Sequence, residues 1–167
     1  MRTLGVATFG LLLLASGAAA VAQGVKTPSG ADIARGRYMV KIAGCNDCHT
    51  PDYAEKAGAV PENGWLTGSP VGFQGEWGTT YPANLRLVIN AMTEAQWMAR
   101  ACQPMRPPMP WFALRDMTDG DVRAIYRYVK ALGPAGQSAP AYVPPGGKPI
   151  TPVIVFPASQ QQPPPTR

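Results

Sequence analysis

The chain has 167 residues, which is room for one domain with extra segments at its ends. Its 15 Lys and Arg against 10 Asp and Glu give a net charge of +5, and the basic residues are spread along the chain. Because nucleic-acid binding relies on concentrated positive charge, this distribution argues against a nucleic-acid partner.

The first 22 residues have the pattern of an export signal. Arg2 is followed by an uncharged, mostly apolar run that ends in small residues, and Ala20-Val21-Ala22 fits a peptidase cleavage site. We therefore predict a signal peptide over residues 1–22 and a periplasmic location, with an uncleaved membrane anchor as the alternative. No transmembrane span is expected after cleavage.

The first predicted helix covers residues 29–43, because Ser29 and Asp32 can form a capping box. Gly36 lies inside this helix, where glycine is unfavourable, and it therefore indicates a close packing contact.

Directly after this helix, Cys45-Asn46-Asp47-Cys48-His49 has the spacing of covalent haem attachment. Two thiols three positions apart can add to the two vinyl groups on one side of a porphyrin, and the next imidazole then lies under the iron. We predict one covalent haem c attached through Cys45 and Cys48, with His49 as the proximal iron ligand.

Three other interpretations compete for this motif. A thioredoxin-like redox pair normally follows a strand of an α/β fold, and no such sheet is predicted. A zinc site would need Cys102 together with the motif, and shared chelation by the adjacent Cys48 and His49 is awkward. A disulfide across two intervening residues would be small and strained.

Residues 50–84 are rich in glycine and proline and read as loop. Short helices are predicted at residues 85–91 and 93–102, the second capped by Thr93. Cys102 is expected to be a small buried residue at its end, with a reactive thiol as the alternative. The last helix is predicted from Thr118 to Leu132, and no strand is predicted.

The sixth iron ligand must be sought outside histidine, because His49 is the only one in the chain. Met109 lies between Pro107-Pro108 and Pro110, so its backbone has little freedom to lose when the weak thioether donor binds. We predict Met109 as the distal ligand, with Met105 as the alternative. Three further methionines are more typical of packing: Met92, Met98 and Met117. A His/Met pair fills both axial positions and suits electron transfer.

The C-terminal segment, residues 133–167, contains ten prolines. Such a composition favours extended structure without a core of its own. Tyr142 and Val143 could still contact the folded body, whereas residues 160–165 are expected to be disordered. The predicted organisation is thus a signal peptide (1–22), a domain (23–132) and a proline-rich tail (133–167) that packs partly on the domain.

Several of these segments resemble a known family. Gly36-Arg37-Tyr38 and the haem motif are similar to the first helix and attachment site of class I cytochromes c. Residues 108–110 and 117–126 resemble the methionine loop and terminal helix of the haem domains in cytochrome subunits of bacterial periplasmic alcohol and sugar-acid dehydrogenases. Residues 78–84 resemble their distal loop. Those subunits usually carry three haem domains and a membrane anchor, whereas this chain has one domain and a proline-rich tail.

The resemblance implies an all-α cytochrome c fold, with four to five helices around one covalent haem and the first helix crossing the last near Gly36. The predicted function is that of a periplasmic electron carrier or a subunit of a redox complex, with redox proteins as partners and no substrate chemistry of its own. A haem-based sensor or gas-binding protein with a labile sixth ligand is the alternative.

Overall fold

The computed structural model describes residues 28–157, so the predicted signal peptide and the predicted disordered residues 160–165 lie outside the described part. It contains six helices and three short strands. The helices are α1 (Gly30–Ile42), α2 (Cys45–His49), α3 (Leu85–Asn90), α4 (Glu94–Ala101), α5 (Trp111–Arg115) and α6 (Asp119–Leu132). The strands are β1 (Gly72–Gly75), β2 (Gly78–Thr80) and β3 (Val153–Val155), and a 3-10 turn covers Glu62–Gly64.

The frame of the fold is the crossing of α1 over α6. Ser29 and Asp32 form the predicted capping box at the start of α1, and Thr118 caps α6. At the crossing, a Cβ on Gly36 would lie 2.0 Å from the carbonyl oxygen of Ala124 and 2.6 Å from Cβ of Tyr128. Only glycine allows the two backbones to come this close, so the predicted crossing at Gly36 is confirmed.

The core forms where α6 packs against α1, α3 and α4. Trp97 of α4 is buried and donates from Nε1 to the carbonyl oxygen of Val122 at 2.8 Å. Between these helices lies a cluster of buried apolar side chains that includes Val40, Leu66, Ile89, Ile125, Tyr128 and Val129. This cluster joins the loop after α2 to the helices on either side of it.

The loop-to-helix contacts depend on one buried cation. Arg86 of α3 donates to the carbonyl oxygens of Asn63, Leu132 and Gly133, and it is only 6% exposed. It therefore ties the end of α6 to the 3-10 turn across α3.

The predicted short helices are present as α3 and α4, and the capping box of Thr93 with Gln96 is formed. Two expectations are wrong: the burial of Cys102, and the number of helices, which is six in residues 28–157 rather than four to five. Cys102 is exposed at the C-terminal end of α4, because the buried face of that helix is supplied by Trp97 and Ala101. Helix α5 was not predicted, since it has five residues and follows directly on Pro110.

The prediction of a purely helical fold is also incomplete. The strands form a small sheet in the order β2-β1-β3, in which β1 pairs antiparallel with β2 and parallel with β3. Strands of three or four residues are too short to show a two-residue alternation. The parallel partner β3 also comes from the proline-rich segment, far along the chain.

The segment after α6 returns across the body of the protein. Asn84 donates from Nδ2 to the carbonyl oxygens of Ala135 and Gln137 at 2.8 and 3.0 Å. Further along, Val143 forms an antiparallel bridge with Thr79 before the chain reaches β3. Across residues 28–157, none of the helices combines the length and the apolar character that crossing a membrane requires.

Candidate functional site

The two motif cysteines lie on one turn of α2. Gly44 precedes this helix in the left-handed conformation (φ 71°), which glycine adopts without strain and which turns the chain sharply from α1 into α2. Residues three apart on a helix share a face. Cys45 and Cys48 therefore point to the same side, and both thiols are free and half-buried.

Burial also sets the protonation of these thiols. It raises the pKa of Cys45 to about 11 and raises the pKa of Cys48 as well. Thioredoxin-type pairs work through a thiolate with a lowered pKa. The environment of Cys45 and Cys48 is the opposite, which argues against a dithiol redox pair.

His49 ends the same turn and is fixed by one hydrogen bond. Its Nδ1 lies 2.7 Å from the carbonyl oxygen of Ala83. A carbonyl can only accept, so Nδ1 carries the proton and donates it. Burial lowers the pKa of His49, although the bond to Ala83 acts in the opposite direction. The ring is thus neutral near pH 7, and its Nε2 keeps the lone pair that a metal ion binds.

A second set of hydrogen bonds connects α2 to the loop that follows it. Asn46 is fully buried, and its Oδ1 accepts from Thr50 Oγ1 at 2.8 Å. The same Thr50 oxygen accepts from the backbone N–H of Leu66 at 2.8 Å, and the carbonyl oxygen of His49 accepts from Gly68 N–H at 2.8 Å. Sequence reasoning missed this set, because its members are ordinary polar residues and backbone groups.

Met109 lies in a loop that is hydrogen-bonded to a residue outside the loop, Thr80. The carbonyl oxygen of Pro107 accepts from Thr80 Oγ1 at 2.6 Å, and Met109 N–H donates to Arg106 at 3.3 Å. The Met109 side chain is half-buried. Three other methionines pack against the buried core: Met98, Met105 and Met117. Met109 is therefore freer than the alternative Met105 to offer its sulfur to a cofactor.

One short segment touches both parts of the site. Thr80 contacts the loop of Met109 at Pro107, and Ala83 contacts His49. Three residues of extended chain span about 10 Å, so these two contacts lie close together. Residues 78–84 thus contact the Met109 loop through Thr80 and the His49 ring through Ala83.

Cys102 does not join the motif. It is exposed at the end of α4, and among residues 28–157 no three side chains of His, Cys, Asp or Glu come together as a metal site. The zinc interpretation therefore lacks its fourth ligand.

The donor set instead fits haem c. Two unpaired thiols share one helical turn, the adjacent imidazole is neutral with Nε2 free, and a half-buried thioether lies in a loop linked to the same segment. These features define a small, mainly helical domain suited to a covalently attached haem.

Comparison with known families agrees with this class. A scan against protein-family models matches residues 33–133 to Cytochrome c. The chain therefore belongs to the cytochrome c family, whose members bind covalent haem c. No match to a curated protein or to a solved structure was found.

Proposed function

We propose that this protein is a periplasmic carrier of single electrons with one haem c, attached through Cys45 and Cys48 and ligated by His49 and Met109. The observation that carries the proposal is the hydrogen bond from His49 Nδ1 to Ala83, which leaves Nε2 as the only ring nitrogen able to bind iron. The redox role follows from the family, since cytochromes c transfer electrons.

Each residue has a separate task in this proposal. The thiols tether the cofactor, so it is retained through every redox cycle. The carbonyl of Ala83 orients the imidazole and makes it a stronger donor. Met109 would supply the second protein ligand to the cofactor from its loop. Haem c, when bound, supplies an iron that gains one electron from a donor and gives it to an acceptor.

The protein acts either as a soluble carrier or as a subunit of a redox complex. The resemblance of residues 108–110 and 117–126 to dehydrogenase cytochrome subunits favours a dehydrogenase as electron donor.

Replacing methionines one at a time tests the axial ligand. The oxidised wild type should show the far-red absorption band of iron–sulfur ligation, Met109→Ala should lose it, and Met105→Ala should keep it. Met105→Ala is the matched control, because it removes the same side chain from the same loop. A band that survives in Met109→Ala would contradict the assignment.

Carbon monoxide separates this function from a gas sensor. A protein ligand in both axial positions should make binding to the reduced wild type slow, and Met109→Ala should bind rapidly. Equally rapid binding by the wild type at neutral pH would favour the sensor instead.

A further inference from the structure

The structure continues beyond the part of the chain that matches the family. The match ends at residue 133, yet residues 134–157 are described and folded onto the body. We call residues 138–156 the strap. It crosses the β1–β2 hairpin, which leads directly into the segment that touches both Met109's loop and His49.

The strap is fastened to this hairpin at several points. Tyr142 donates from its hydroxyl to the carbonyl oxygen of Trp77 at 2.7 Å. Val143 and Thr79 exchange two backbone hydrogen bonds, at 2.8 and 3.0 Å. Further on, β3 pairs with β1, and the Phe156 ring lies 5.6 Å from that of Trp77. Because of these contacts, the strap has a defined position on the hairpin, and other side chains can pack against it.

One side chain of the methionine loop packs on this surface. The guanidinium of Arg106 lies 4.1 Å from the centre of the Tyr142 ring, which is a cation–π contact. Arg106 also accepts the backbone hydrogen bond from Met109. Its neighbour Pro107 is held from the hairpin by Thr80. The loop is thus held by the hairpin and the strap together.

We propose that Tyr142 is a positioning residue for Met109: through Arg106, the strap holds the methionine loop against the cofactor. This proposal rests on the proposed function, since it takes Met109 to be the axial ligand. A thioether is a weak iron ligand, so small changes in loop closure should be visible in its competition with other ligands. The strap would then control how easily the sixth position opens.

Added imidazole measures this opening, because it binds the oxidised iron only when Met109 has left. Loss of a partly exposed cation–π contact should favour the open loop roughly two- to fivefold. Tyr142→Ala should therefore bind imidazole more tightly by that factor at one fixed pH. Tyr142→Phe keeps the ring over Arg106 and should stay near the wild type. Ile150→Ala is the strap control, since Ile150 is 94% exposed.

A double-variant comparison shows whether the effect passes through Arg106. Arg106→Ala should raise imidazole affinity by the same factor as Tyr142→Ala, and the double variant should raise it no further. Arg106 is exposed, so its replacement keeps the test valid even if Tyr142→Ala folds poorly. The proposal is overturned if both single variants match Ile150→Ala, or if their effects multiply.

The methionine variants distinguish this failure from failure of the proposed function. If Met109→Ala loses the iron–sulfur band and Tyr142→Ala binds imidazole like the wild type, only the role of the strap is wrong. If the wild type lacks the band from the start, Met109 is not the ligand, and both proposals fail.

Discussion

Replacing Gly36 by alanine tests the crossing of α1 and α6, on which the position of the haem motif depends. The new Cβ would lie 2.0 Å from the carbonyl oxygen of Ala124, where carbon and oxygen normally keep about 3.3 Å. The obstructing atoms include backbone, so the helices must separate by roughly 1 Å. Overpacking typically costs 1–3 kcal/mol of stability, and we expect a cost of about 3 kcal/mol at Gly36. The higher helix propensity of alanine offsets about 1 kcal/mol of this cost.

The expected net loss is therefore about 2 kcal/mol in the free energy of unfolding. Urea unfolding of the haem-loaded protein, followed by far-UV circular dichroism, measures it. Gly30→Ala is the matched control, because it lies in the same helix and its Cβ would meet nothing within 4 Å. A Gly36→Ala protein as stable as Gly30→Ala would show that α1 and α6 do not pack this closely at Gly36.

Two further changes probe the same frame by urea unfolding. Arg86→Met should cost about 3 kcal/mol, because three carbonyls lose a buried charged donor; a loss no larger than that of the less buried Arg100→Met would contradict this. The hydrogen bond from Arg35 lowers the pKa of Asp121, so its contribution is present above the ordinary value of 3.8 and is lost as pH falls through the lower folded value. Asp121→Asn should thus be less stable than the wild type at neutral pH and equally stable in strong acid. If the difference in the free energy of unfolding between the two proteins does not change with pH, the ionised carboxylate of Asp121 is not the stabilising group.

The sequence allowed the helical frame to be predicted because its signals are local. The caps at Ser29, Thr93 and Thr118 each lie within four residues of the groups they bind. Gly36 indicated a close packing contact, since a glycine inside a helix usually has a packing reason, and the resemblance to class I cytochromes c implied that its partner is the last helix. The motif at residues 45–49 likewise carries its geometry in its spacing.

The parts that were missed depend on contacts between distant residues. β3 pairs with β1 about eighty residues earlier, and neither strand has a pattern of its own. Ala83 acts through its carbonyl, which every residue has, so nothing in its identity marks it as the partner of His49. The stacking of Arg106 on Tyr142 also follows from the path of the strap, which proline-rich composition does not define.

The mass of the intact protein shows whether a haem is covalently attached at Cys45 and Cys48. The protein would be produced in a bacterial periplasm with haem-attachment machinery and measured after denaturation, when only covalent groups remain. We expect a mass increase of one haem in the wild type and in Cys102→Ser, and none in the double variant Cys45→Ser, Cys48→Ser. A wild-type protein with the mass of the bare polypeptide, or a haem lost through Cys102→Ser, would contradict it.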